Sequence, residues 1–236
     1  MPKRHDSMTR FLVGCRWLFA LSVGSCLIAA AAPAPEEPAR PGAGDRQAST
    51  PQDPVLRAEL LRRMRADQDI RGRWMKEMEN RQIIAQMAEI DRENTARLKE
   101  IVHLYGWPSR ALVGKEGEAA AFLLVQHADA SPDFQKQCLP LIQKGASKGE
   151  IPKEAVAMLT DRVLLHEGKK QLYGTQFIRN AAGEWVPQPI EDELHVDARR
   201  KSLGLPPLAE YAKELRQFYR TSPKKQTAPV GRSGKS

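Results

Sequence analysis

The chain has 236 residues, 28% of them charged and 41% apolar. That balance excludes a membrane-embedded or wholly disordered protein and suits one domain with tails. The formal charge of +8 sits mostly in the ends: residues 1–50 carry six basic and four acidic side chains, 221–236 carry four basic and none acidic, and 51–220 hold 27 against 25. A near-neutral centre without a basic stripe argues against nucleic acid as a partner.

Lys3, Arg4 and Arg10 precede an apolar run from Trp17 to Ala32 that ends in small residues, the pattern of an export signal. Cleavage after Ala31 fits it. So does lipoprotein processing, because Val23-Gly24-Ser25-Cys26 resembles a lipobox and would make Cys26 the acylated first residue. The third alternative is an uncleaved anchor, which Arg16 interrupts. Residues 1–32 are thus read as a signal peptide or lipoprotein signal, and the chain as exported to the periplasm or cell envelope, lipid-anchored if Cys26 is modified. Membrane contact is expected only through this segment or that lipid. Residues 33–53 read as a Pro/Ala-rich linker and 221–236 as a disordered basic tail. Cys15 and Cys26 lie in the apolar segment, so Cys138 would stand alone without an internal disulfide. Its helical neighbours Phe134, Leu141 and Ile142 favour a buried small apolar residue over a nucleophile.

Residues 54–220 read as one helical domain. Asp53-Pro54 pairs a capping carboxylate with proline at the first helical position. The stripe Leu56, Leu60, Met64 continues at helical spacing through Gln68, Arg71, Met75 and Met78, and the pattern runs on to Ile90. Gln68 and Arg71 interrupt an apolar face, so they are either structural glue or pocket lining. A new helix is expected from about Asp91, with Asn94 or Thr95, Leu98, Ile101, Val102 and Tyr105 on its face and a stop at Gly106. Ala119–Val125 is apolar all round, as in a helix buried between others.

Gln126 and His127 follow directly. His127 lies four residues from Leu123 and seven from Ala120, hence on a buried face. Its proton affinity near neutral pH suits acid–base work, and a hydrogen-bonded core histidine is the alternative. Further helices are expected from Pro132, disturbed at Pro140, and from Pro152. The latter carries Ala155, Leu159, Arg162 and His166 on one side, with His166 expected in solvent. Asp161-Arg162 can anchor loops or hold an anionic group in a fork of donors.

The segments around Arg179–Gly183 read as a small hairpin or extended flap. Tyr173, Thr175 and Gln176 crowd hydrogen-bonding side chains about Gly174, where backbone can approach closely; edge-strand polarity explains them equally. Two last helices are expected at about 191–203 and 207–220. The fold class is therefore mainly α: a single multi-helix domain with a small hairpin or flap near its C-terminal third. GxxxxGK[ST], GxGxxG, GxSxG, HExxH and CxxC are all absent, so no cofactor can be named and no metal site is expected.

The order of local signatures resembles the bacterial domain of unknown function family 6624 over roughly Val55–Leu215. Asp67-Gln68 with Arg71, Asp91 through Asn94, Gly106-Trp107-Pro108 with Val113-Gly114, and Gln126-His127-Ala128-Asp129 carry it first. Phe134-Gln135, Asp161-Arg162, Gln171 through Gln176, Trp185 through Ile190, Arg199-Arg200 and Gly204-Leu205 complete it. The resemblance implies no reaction, but it singles out His127, Asp161, Arg162, Tyr173 and Gln176 as motif members.

Two functions compete. As an enzyme, His127 would be acid or base, oriented by Asp161 or Asp91, with Tyr173 as a donor. Gln68, Arg71, Gln126, Arg162, Thr175 and Gln176 would then bind a small polar ligand. As a non-catalytic envelope module, the domain would offer an aromatic patch of Trp107, Tyr173 and Trp185 to a peptide, glycan or envelope protein.

Overall fold

A computed structural model describes residues 50–221. The signal segment with Cys26, most of the linker, and residues 222–236 lie outside the described residues. Helix α1, Pro54–Lys76, starts as its sequence dictates: the Asp53 carboxylate accepts the Leu56 N–H at 2.8 Å. The end of the expected linker is docked, since Gln52 and Asp53 donate their N–H groups to Ala111 and Leu112 carbonyls.

The helical period does not run unbroken to Ile90. Helix α1 ends at Lys76, and α2, Arg81–Tyr105, begins at Asn80, whose side chain accepts the N–H groups of Gln82 and Ile83. The expected start near Asp91 is therefore corrected, and Asp91 lies inside α2. Apolar periodicity is blind to such a turn, because Ile70 and Trp74 on one side and Ile83 and Met87 on the other close the same small core across it. Gly106, at φ 70°, ends α2, and Tyr105 on its last turn is exposed rather than on the buried face.

Helix α3, Arg110–Gln126, is kinked at Gly114. There φ is 73°, and a Cβ would lie 3.1 Å from the Pro51 ring and 3.3 Å from Arg57 Nε. Glycine is thus required by conformation and by contact. Helix α4, Pro132–Ser147, passes through Pro140, and α5 spans Lys153–His166. The main core joins α1 to α5 through Leu60, Leu98, Ile101, Leu124, Ile142 and Leu159, all at most 1% exposed. Cys138 belongs to it, and burial pushes its thiol up to about 12.

Strands β1, Phe177–Arg179, and β2, Trp185–Pro187, form an antiparallel pair with Ile178 opposite Val186. A 3₁₀ turn at Glu193–His195 leads into α6, Val196–Ser202, and α7 follows at Leu208–Thr221. Tyr211 of α7 meets Phe177 edge to face, and Tyr219 packs on Trp185 with ring centres 4.6 Å apart. The chain is mainly α with one small hairpin. Among the described residues, no helix is long and apolar enough to cross a membrane.

Candidate functional site

Three helices bring charge into the interior at one place. Helix α1 carries Asp67, Gln68 and Arg71 on adjacent turns, α2 supplies Asp91, and His127 caps the C-terminus of α3. Asp67 is fully buried and is the hub: Arg71 Nη1 donates to its Oδ1 at 2.7 Å, and Gln68 Nε2 to its Oδ2 at 2.8 Å. Nδ1 of His127 lies 2.8 Å from the same Oδ1. Arg71 also donates through Nη2 to both oxygens of Asp91, at 2.9 and 3.0 Å.

The two carboxyls respond in opposite senses. Burial pushes Asp67 up, but the charges of His127 and Arg71, with bonds from His127 and Gln68, outweigh it and hold Asp67 below the usual aspartate range. Asp91 is raised, because burial and the negative charge of Asp67 prevail over Arg71 and His127. An ionised Asp67 can only accept. The proton of neutral His127 therefore sits on Nδ1, and Nε2 is the nitrogen that gains or loses one.

One ligand atom each from Asp67, Asp91 and His127 lies within 4.8 Å of the other two, close enough to share a cation. The guanidinium of Arg71 already spans the two carboxylates, so a metal ion would have to displace it.

A second network leaves the same 126–129 segment toward α5. Arg162, 1% exposed, donates from Nε to Gln126 Oε1 at 3.2 Å and from Nη1 to Asp129 Oδ1 at 2.6 Å. His166 Nε2 stands 3.5 Å from that oxygen, so this histidine faces an acid in the fold and not the solvent expected for it. Gln135 donates to the carbonyls of Val125 and Gln126 and to Asp129. Burial raises Asp129, yet Arg162, His166 and the charge of His127 together hold it at about 2. The networks are thus electrostatically joined through His127. Gln126 Nε2 and Gln135 Oε1 are buried with no hydrogen-bond partner among the described residues. Polar atoms in that condition call for a bound water or ligand group.

Asp161 plays a different part from the one expected. Its Oδ1 accepts the N–H groups of Leu172 and Tyr173, and its Oδ2 accepts the N–H and hydroxyl of Thr175, all between 2.8 and 2.9 Å. Four donors from one loop saturate it, so Asp67, not Asp161, orients His127. Gln176 donates to Thr175 Oγ1 at 3.0 Å and to the Met158 carbonyl at 3.4 Å, and the Tyr173 carbonyl accepts from the buried Arg200. Thr175 and Gln176 therefore hold the 171–176 loop on α5. Tyr173 is half-buried, and burial and the Asp161 charge raise its phenol.

Of the residues singled out in the sequence, Gln68, Arg71, Asp91 and His127 fall in the network around Asp67, and Gln126 and Arg162 in the adjoining one. Sequence reasoning left Asp67, Asp129 and Gln135 outside the site. The spacing of Asp67 four residues before Arg71 on a buried face was the available signal. The three aromatics of the alternative reading do not gather in the open. Trp107 packs on the main core and Trp185 on Tyr219.

A family model described as a family of unknown function (DUF6624) matches residues 54–224, more than half of the chain. No curated protein and no solved structure matches it.

Proposed function

We infer the function from the chemistry of the site, since the chain belongs to the family of unknown function DUF6624, whose name carries no reaction. The domain acts as an acid–base catalyst on a small polar substrate, with His127 transferring the proton. Asp67 fixes the imidazole tautomer and stabilises the imidazolium that forms. Arg71 keeps Asp67 ionised, and Asp91 is the nearby carboxyl that retains a proton more readily. Gln126, Asp129 and Arg162 line the adjoining polar ground.

The observation that carries this reading is the 2.8 Å contact between Nδ1 of His127 and a carboxylate that is fully buried. Burying a charged group is expensive unless it is paired. Here two carboxyls, a guanidinium and an imidazole are collected where an apolar core would be cheaper. An oriented histidine of this kind contributes about 10²–10⁴-fold to a rate. A purely interacting module needs no such group, and Trp107 and Trp185 are engaged in packing, which gives that reading less support.

The test is a panel of chromogenic phosphoesters, carboxylic esters and glycosides, followed by His127→Asn and Asp67→Asn on whichever is turned over. Both variants should lose at least tenfold in kcat while remaining folded by circular dichroism. Full turnover by folded His127→Asn would end the proposal.

We also infer export, supported by the basic start, the apolar run Trp17–Ala32 and the small residues that close it. Fractionation of expressing cells and the mass of the mature N-terminus test this. Recovery of the intact 236-residue chain in the cytoplasm would overturn it.

A further inference from the structure

A cavity of about 250 Å³ opens between the first half of α3, the turn before α5 and the start of α5. It shares no lining residue with the His127 site. Ala119, Phe122, Ile151, Pro152, Ala155 and Met158 give it an apolar body. A concave surface with an apolar body and charged groups at its rim can hold a small molecule.

Its charge is uneven. Glu116, Glu118, Glu150 and Glu154 stand against Arg110 and Lys115. Glu116 is taken up by Arg57 at 3.0 Å, and the Arg110 guanidinium donates to the Glu150 carbonyl. Glu118 differs from the other three acids because it is 3% exposed. Its Oε2 faces Arg110 Nε at 3.7 Å, a contact too long for a hydrogen bond; its Oε1 is buried with no well-formed hydrogen bond among the described residues, the Trp107 indole and the Arg110 amide being only loose donors to the carboxyl. A carboxylate oxygen left so is destabilising, and a donor arriving in the cavity would satisfy it.

We propose that this cavity is a second binding site, for a small molecule with a protonated amine on an apolar body, in which Glu118 pairs with the ammonium. An ammonium brings three donors and a positive charge to an acidic rim, whereas a carboxylate ligand would meet like charge. The apolar part of the ligand replaces water against Phe122, Ile151 and Met158. Burial and the charge of Glu150 raise Glu118, against Arg110 and Trp107, to about 7, so the ionised form that pairs with an amine dominates from mildly alkaline pH.

The experiment is calorimetric titration of the full chain with phenethylamine and with 2-phenylethanol at pH 8, with methyl resonances of Ala119, Ala155 and Met158 followed by NMR. Phenethylamine should bind at least tenfold more tightly than the alcohol and move those three resonances. Glu118→Gln should erase the preference, and Ala119→Phe, which fills the cavity while keeping the acid, should abolish binding of both. Equal affinities, absent amine binding, a preference that survives Glu118→Gln, or shifts confined to other residues would each overturn the assignment.

Discussion

Removing the Asp67 carboxylate strikes the hub of the charge network, and the size of the effect follows from its contacts. Asp67→Ala deletes the acceptor of Arg71, Gln68 and His127 in a fully buried position. Arg71 keeps Asp91, but His127 loses the carboxylate that stands 2.8 Å from its Nδ1, and a cavity replaces the carboxyl. Breaking a buried ion pair on one side costs about 3–5 kcal/mol. For a domain of this size that lowers Tm by roughly 6–20 °C. The assay is urea unfolding followed by circular dichroism, with the midpoint falling and the slope unchanged. The double variant Asp67→Ala/Arg71→Met should lose less than the sum of the two single variants, because both single changes break the same Asp67–Arg71 bond. A single-variant loss under about 1 kcal/mol, or strict additivity, would refute the reasoning.

Other perturbations have equally definite outcomes. Glu118 has a raised carboxyl, so the folded state is favoured while it is protonated, and stability falls as pH rises from 4.5 to about 7. Glu118→Gln should remove that fall, a difference of about 3 kcal/mol in urea unfolding at pH 8. Asp129 has the opposite sign: its contribution is present above the ordinary aspartate value of 3.8 and disappears as pH falls toward about 2. Asp129→Asn should therefore be less stable than the parent at pH 6 and nearly equal to it at pH 2. Asp161→Ala should expose the amides of Leu172, Tyr173 and Thr175 to rapid hydrogen exchange while the α1–α3 core stays protected. Gly174→Ala places a Cβ 2.7 Å from Leu208 Cδ1 at φ 67° and should cost about 1–3 kcal/mol.

The helical elements were legible because apolar spacing and caps agree: Asp53-Pro54, Gly106 and Ser131-Pro132 all mark real ends. The hairpin was equally plain from its turn residues. The α1–α2 turn was hidden, since Asn80 caps α2 inside a period that looks continuous. At the site, His127, Arg71 and Arg162 announced themselves as polar groups on apolar faces. Their acids did not, because the pairing of Asp67 with His127 spans 60 positions and is set by how α1 crosses α3. Asp161 misled for a related reason. Its neighbour Arg162 turns toward Gln126 and Asp129, while Asp161 turns toward the 172–175 loop, and helical spacing alone does not say which loop awaits each face.

The His127 imidazole can be observed directly by long-range ¹H–¹⁵N correlation NMR across pH 5–9. Nδ1 should carry a proton throughout and Nε2 should titrate, with the midpoint moving to lower pH in Asp67→Asn as the stabilising charge is lost. An imidazole whose proton sits on Nε2 while Nδ1 titrates, or whose midpoint ignores Asp67→Asn, would contradict the acid–base site.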